Sequence, residues 1–176
     1  MSGTTSTRRA LISASGAGAA LALVLSGRSG NAAQAFPEGQ IPWAKRFFNL
    51  YANAEGVAEM RELPLPHPGA QPPYQLIRHP AARVTVGSIA PGFMYDWHVA
   101  NQPNILIPIF GTLVVELRDG SHYEFGHGDV LFAEDCVGSG HRSGAGPEGQ
   151  FGVSVQLDKS LCPAPGESNV DRLLPA

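Results

Sequence analysis

Short apolar runs separated by turn residues fill the chain between residues 83 and 157, and this pattern constrains the fold more than any other feature. The runs are VTVGSI, ILIPIF, TLVVELR, SHYEF, DVLFAE and FGVSVQL. Asp119-Gly120, between TLVVELR and SHYEF, predicts a tight hairpin, because glycine tolerates the positive φ that such turns need. Short strands at near-regular spacing, without a long amphipathic helix, predict an all-β sandwich or barrel.

The sequence on either side of this region is different. Residues 36–82 contain WAKRFFNLYANAEGVAEM, which predicts a short helix or a segment lying over a sheet, and then prolines at positions 64, 66, 68, 72 and 73. Proline at this density excludes a regular helix or a central strand. We therefore expect an extended N-terminal arm over residues 36–82, a barrel over 83–158 and a loosely held C-terminal tail over 159–176.

The first 35 residues have the organisation of an export signal. Arg8 and Arg9 precede an uncharged apolar run over residues 10–25, and the small-residue sequence AQA ends at Ala35. This order is typical of secretory signals, and the paired arginines resemble the twin-arginine type. We expect a periplasmic or exported protein cut after Ala35. The alternative is an uncleaved segment, through which alone the chain would contact a membrane.

Charge and cysteine content restrict the partners and the chemistry further. The net charge is −3, and no run of Lys and Arg occurs after the first thirty residues, so a nucleic-acid partner is not expected. The two cysteines, Cys136 and Cys162, could pair in an oxidising compartment. Two unpaired, buried thiols are the favoured reading, and neither cysteine has the neighbours of a nucleophile.

Two stretches of the strand-rich region resemble the two motifs of the cupin superfamily. The first runs from Gly92 to Gly111 and contains His98, and the second, GDVLFAEDCVGSGH, begins at Gly128 and ends at His141. The blocks LYANAEG, DWH and AEDCVGSGH look like a group of small bacterial cupins of undefined activity. The resemblance implies a single cupin-type, jelly-roll β-barrel.

The resemblance also implies a set of metal ligands, from which the chain departs. A metal-binding cupin would have histidine at positions 98, 100 and 141 and glutamate at 104, but positions 100 and 104 are Ala100 and Asn104. The candidate metal ligands are therefore His98, His141 and Asn104. They would hold one divalent ion (Fe, Mn, Zn, Ni or Cu) weakly, because no carboxylate offsets its charge. Otherwise no cofactor is expected.

Three functions remain open at this point. The first is binding of a small molecule in the barrel, where the candidate ligand-binding residues are His98, His141, Tyr95, Trp97, Phe110 and Phe132. Ligand pockets are mostly apolar with a few polar groups that fix orientation, which this set would provide. The second function is a metal-dependent oxygenase, isomerase or lyase. The third is a non-catalytic module that forms a homodimer through an edge strand.

Overall fold

The computed structural model describes residues 44–65 and 75–173. The predicted export signal and the proline-rich centre of the predicted arm lie outside these ranges. Within them, the chain forms seven strands, one turn of 3-10 helix and one short α-helix: β1 (Arg46–Ala52), β2 (Ala58–Leu63), β3 (Arg83–Ile89), β4 (Asn104–Glu116), β5 (His122–Phe125), β6 (Asp129–Ala133), β7 (Arg142–Gln156), the 3-10 turn (Lys159–Leu161) and α1 (Val170–Leu173). The predicted all-β class is confirmed. Neither helix in the described ranges is long and apolar enough to cross a membrane.

All seven strands belong to one mixed sheet. Its hydrogen-bonded order is β2-β1-β6-β4-β7-β3, with β5 paired to β4. β1 and β6 run parallel, and the other pairs are antiparallel. The described strands form an open path that ends at β2 and β3, not a closed ring. The arrangement is consistent with a jelly roll or sandwich, and the predicted closure into a barrel is not seen.

Two of these strands lie inside the predicted N-terminal arm. β1 pairs with β2 on one side and with β6 on the other, so it is an inner strand of the sheet. Both faces of β1 are covered, and for this reason its sequence RFFNLYA shows clustered apolar residues where a half-exposed strand would show alternation. The sheet therefore begins at Arg46, well before the boundary predicted at residue 83.

The sheet separates two apolar clusters. Phe47 and Phe48 are neighbours in β1, and because strand side chains alternate, they enter different clusters. The inner cluster is formed mainly by Phe48, Leu50, Leu113, Val115, Phe125 and Leu131. The outer cluster is formed mainly by Phe47, Ile105, Phe132, Leu157, Val170 and Leu173. The inner cluster fills only one end of the concave side of the sheet, and this leaves room for a cavity at the other end.

The C-terminal segment is anchored, in contrast to the predicted loose tail. The buried carboxylate of Glu134 accepts hydrogen bonds from the Asn49 side chain, from the Ser168 hydroxyl and from both the backbone and side-chain nitrogens of Asn169. Val170 and Leu173 then complete the outer cluster. Asn169 and Glu134 lie 35 positions apart in the sequence, so local composition carried no sign of this anchor.

Cys136 and Cys162 form a disulfide, and the prediction of two unpaired thiols is wrong. Their Cα atoms lie 5.6 Å apart, within the normal range for a disulfide. The bond joins the loop after β6 to the end of the 3-10 turn. The two cysteines meet because the C-terminal segment returns across the sheet, a path that sequence spacing did not indicate.

Candidate ligand-binding site

His98 and His141 lie opposite each other across a short antiparallel bridge. The His98 N–H donates to the His141 carbonyl at 2.9 Å, and the His141 N–H donates to the His98 carbonyl at 2.8 Å. Their ring centroids are 4.4 Å apart. Gly140 makes this approach possible, because it has φ +64° and a Cβ there would overlap the His98 carbonyl. The local backbone thus brings together the two histidines that the sequence resemblance singled out.

A hydrogen bond at Nδ1 favours the same tautomer in both imidazoles. His98 Nδ1 lies 2.7 Å from the Asp96 carbonyl oxygen, and His141 Nδ1 lies 2.6 Å from Asp135 Oδ2. A carbonyl oxygen can only accept, so His98 Nδ1 must carry the proton, and the carboxylate favours the same form of His141. Each neutral ring therefore presents the lone pair of Nε2. The Ser143 hydroxyl lies 3.5 Å from His98 Nε2.

Asp135 supports the His141 ring from behind. Its side chain is fully buried, and burial raises the pKa of Asp135, an effect that the hydrogen bond from His141 opposes. The Asp135 backbone carbonyl also accepts from the Ala100 N–H at 3.1 Å, which ties the loop after His98 to the loop after β6. Within the described residues, Asp135 Oδ1 has no hydrogen-bond partner. The arrangement holds the His141 ring in one orientation, with Nδ1 as the hydrogen-bond donor.

The two histidines border a cavity of about 730 Å³. Its walls come from β3, β4 and β7 and from the loop between β3 and β4, and the inner cluster closes one end through Leu113 and Ala133. This volume is in the range of sites for drug-sized ligands. His98 is exposed to solvent, whereas His141 is buried in the cavity wall.

Five of the predicted site residues line this cavity, and two do not. The five are Tyr95, Trp97, His98, Asn104 and His141. Phe132 is fully buried in the outer cluster, because its neighbour in β6, Ala133, takes the cavity face. Phe110 is 66% exposed and follows a register shift in the pairing of β4 with β7. Both were chosen for their size, but strand parity decides which face a side chain takes.

The aromatic residues at the cavity mouth differ in how much of each ring is covered by other side chains. The Arg118 guanidinium lies 3.8 Å from the centroid of the Trp97 ring, so one face of that ring is covered. The Tyr95 ring contacts Phe93 and His98 edge-on, with centroid distances of 4.9 and 6.2 Å. Tyr95 is 49% exposed. It is therefore the aromatic ring of this group that a ligand at the mouth would meet first.

Sequence reasoning missed the polar wall of the cavity. Hydroxyl and amide side chains of β3 and β7 line it: Thr85, Gln150, Ser154 and Gln156. The signal was present, because Thr85 alternates with apolar Val84 and Val86, and Ser154 with Val153 and Val155. The alternation showed that the strands have one polar face. It could not show that this face lines a cavity on the concave side of the sheet.

The donors suit a metal ion only in part. Both imidazoles have Nδ1 engaged, as metal-bound histidines usually do, and the only side-chain hydrogen-bond contact of Nε2 in either ring, within the described residues, is the long one from Ser143 to His98. Asn104 lines the same cavity, but its Oδ1 accepts from the Ser154 hydroxyl at 2.8 Å. In the described part of the chain, no group of three or more His, Cys, Asp or Glu residues is placed to hold a metal. The candidate set is thus two nitrogens and one neutral oxygen.

Comparisons with known proteins add little beyond this geometry. No family model matches the chain, and no curated protein matches it. Among solved structures, protein NMB1881 from Neisseria meningitidis is 17% identical, with a TM-score of 0.37 over 48% of this chain and 81% of that protein. A Salmonella typhimurium LT2 protein described as ethanolamine utilization protein Q is also 17% identical, with a TM-score of 0.31 over 66% of this chain and 98% of that protein. At these TM-scores neither likeness carries weight for fold or function.

Proposed function

We propose that this protein is an exported, cupin-like protein that binds a small molecule in the cavity, oriented by His98 and His141. The observation that carries the proposal is that two neighbouring histidines, each held through Nδ1, line one cavity of ligand size. The histidines are held in place by Asp96 and Asp135, and a ligand would not have to order them. Preorganised donors and acceptors of this kind reduce the free-energy cost of binding.

The disulfide supports the export part of the proposal. Disulfides persist mainly in secreted and periplasmic proteins, because the cytosol keeps thiols reduced. Cys136 and Cys162 are bonded to each other, and in the described residues neither thiol is free. An oxidising compartment is where this bond would be kept, in agreement with the signal-like sequence before Phe36.

A metal-dependent activity is a second candidate, favoured by the orientation of the two imidazoles. A divalent ion would be held by Nε2 of His98 and of His141, with Asn104 as a neutral oxygen donor. When bound, it would act as a Lewis acid on an oxygen atom of the ligand. The protein groups would orient the ion and the ligand, and Asp135 would hold the His141 ring. Two histidines without a carboxylate predict weak retention of the ion.

A homodimer is a third candidate, favoured by the outward face of β3 and its neighbours. Val84 and Val86 are 59% and 60% exposed, and Ile107 and Phe151 are also exposed on this side. Val86→Lys would place a charge in this apolar strip without touching the cavity. If a second copy covers the strip, sedimentation analysis will show a dimer for the wild type and a monomer for Val86→Lys. A monomeric wild type would exclude this candidate.

The main proposal can be tested with a variant that fills the cavity without disturbing the sheet. Gly87 lies on the cavity face of β3 outside the left-handed region of φ, and a Cβ added there meets nothing within 4 Å. Gly87→Leu therefore projects a side chain into the cavity. Val86→Leu is the matched control, because Val86 is the adjacent residue on the opposite face of the same strand.

Saturation-transfer NMR would be recorded with four probes: methyl glucoside, glucuronate, glucosamine and indole. At least one probe should bind the wild type and Val86→Leu and lose binding to Gly87→Leu. If no probe binds, or if binding survives in Gly87→Leu, the cavity is not a ligand site and the proposal fails. Metal content measured by mass spectrometry, beside a His98→Ala/His141→Ala variant, decides the second candidate. Near-stoichiometric metal lost in that variant would support it, and metal-free wild type would exclude it.

A further inference from the structure

We propose that the ligand is a neutral, hydroxyl-rich ring compound of the size of a monosaccharide or cyclic polyol. This inference rests on the proposed binding function and names the class of molecule that the cavity accepts. It is carried by three features of the wall formed by β3, β7 and β4: its charge, the order of its hydrogen-bonding rows and the open space at Gly87.

The charge of the lining disfavours ionic ligands. Among the described residues that line the cavity there is no Lys or Arg, and Asp96 is the only carboxylate. One oxygen of Asp96 is already engaged, because Oδ1 accepts from the Trp97 N–H at 2.7 Å. Arg118 lies against Trp97 and is not among the lining residues. An anionic ligand would therefore find no Lys or Arg to pair with. A cationic ligand would find only the Asp96 carboxylate, which is exposed and already accepts a hydrogen bond.

Neutral hydrogen-bonding groups stand in register across the three strands. Thr85 lies opposite Ser154, and Gln156 lies opposite Asn104, so their side chains share the cavity face. The Ser154 hydroxyl donates to Asn104 Oδ1 at 2.8 Å, and Thr85 and Gln156 lie beside this pair on the neighbouring register positions. Hydroxyl groups both donate and accept, and amides offer one of each, so this set matches a ligand that carries several hydroxyl groups.

Next to these rows, one position of β3 is open: Gly87 has no side chain, and a Cβ added there meets nothing within 4 Å. Gly87 pairs with Gly152, which in turn lies beside Pro108 on β4, and these three positions follow the Thr85–Ser154 row. Gly87 and Gly152 both line the cavity. The space at Gly87 allows a ring to lie beside the neighbouring hydrogen-bonding rows, and the Gln150 side-chain amide, which lies against Gly152, adds a further polar group. The exposed Tyr95 ring at the mouth offers an apolar surface to the C–H groups of such a ring.

The two histidines complete a site for hydroxyl groups. Each Nε2 presents a lone pair that accepts a hydrogen bond from a ligand O–H. The two histidines add hydrogen-bond acceptors to the hydroxyl and amide groups of the strands. A neutral polyol would therefore find both donors and acceptors. An apolar ligand of the same size would displace water from these groups without replacing its hydrogen bonds, which carries a free-energy cost for each group that becomes buried.

The test compares affinities, measured by calorimetry, for neutral rings and for their charged and apolar counterparts. The neutral probes are methyl glucoside, methyl galactoside, methyl mannoside, xylose and myo-inositol, and the counterparts are glucuronate, glucosamine and indole. At least one neutral probe should bind the wild-type protein at least about tenfold more tightly than every counterpart. Thr85→Val, which is isosteric, should weaken that binding by about three- to tenfold through loss of one hydrogen bond.

Thr112→Val is the matched control, because it makes the same chemical change outside the cavity, where the Thr112 hydroxyl donates to Glu148. It should leave the affinity unchanged. If indole or a charged sugar binds more tightly than every neutral ring, and Gly87→Leu abolishes that binding, the polyol inference falls while the proposed binding function stands. If Thr85→Val does not weaken the binding of the neutral ring, the assigned contact is wrong and the inference falls as well. If none of the probes binds, both proposals fail.

Discussion

The two ends of the concave side of the sheet share β4 but are otherwise built from different strands, and they differ in how the space is filled. At one end, Phe48, Leu50, Phe125 and Leu131 fill the space completely. At the other end, glycine, hydroxyl and amide side chains leave a cavity of about 730 Å³. β4 contributes to both ends, with Val115 buried in the cluster and Asn104 on the cavity wall. The comparison indicates that one end stabilises the fold and that the other contributes little packing and leaves a cavity.

The packed end should respond most strongly to loss of volume. Phe125 is 1% exposed in the inner cluster and packs edge-on against Phe48 at 5.3 Å. Phe125→Ala should lower the free energy of unfolding by about 3–5 kcal/mol, because it removes apolar contacts and leaves a cavity. Urea denaturation measures this change. Phe110→Ala, at a residue that is 66% exposed, should cost less than about 1 kcal/mol, and equal costs would contradict the packing difference between the two sites.

Removal of the disulfide, which lies near the end with the cavity, should have the next largest effect on stability. It joins residues separated by 26 positions and lies next to Asp135, which supports His141. Cys136→Ala/Cys162→Ala should lower the free energy of unfolding by about 3 kcal/mol in the chain-entropy model. Reduction of the wild-type protein should give a similar loss. A melting temperature that does not change on reduction would show that packing alone holds the C-terminal segment.

An ion pair at the start of β6 should give a smaller, pH-dependent effect. Burial alone would raise the pKa of Asp129, but the hydrogen bonds from Arg46 and the Gly126 N–H outweigh it, and the pKa lies below its ordinary value. This stabilisation is present above the ordinary pKa of an aspartate and is lost as pH falls through the lowered pKa. Asp129→Asn should therefore cost about 1 kcal/mol at neutral pH, and the difference from wild type should shrink in acid.

Denaturation curves recorded from neutral pH down to about pH 2 would measure this convergence. Glu55→Gln, which removes a carboxylate from an exposed turn, is the control and should show no such trend. A deficit for Asp129→Asn that stays constant down to the lowest pH would contradict the assignment of the acid sensitivity to this pair.

Gly87→Leu should have the smallest effect on stability, although it should have the largest effect on ligand binding. Gly87→Leu adds a side chain to the open end, where a Cβ meets nothing within 4 Å. We expect the free energy of unfolding to change by less than about 0.5 kcal/mol, because no packed group is displaced. Circular dichroism melts would measure this. A large destabilisation would mean that the open end is more tightly packed than its geometry indicates, and Val86→Leu would then separate a strand effect from a cavity effect.

Much of the fold could be predicted from the sequence because its signals are local. Alternation in VTVGSI and the Asp119-Gly120 turn predicted strands and a hairpin that the structure contains. β1 was not recognised, because a strand covered on both faces has clustered apolar residues that resemble other structures. Of the site, the positions of His98 and His141 followed from motif spacing. Phe132 was misplaced, because a shift of one residue in a strand reverses its face.

By itself, the sequence determined the all-β class, the hairpin and the pair of histidines, since each depends on residues close together in the chain or on motif positions. The tertiary structure alone decided the Cys136–Cys162 bond, the anchoring of the C-terminal segment by Glu134 and the polar floor of the cavity. These features arise from strands and loops that are far apart in the sequence and meet only in the folded sheet. Pairing register and strand parity, which no local pattern specifies, set which side chains reach the cavity.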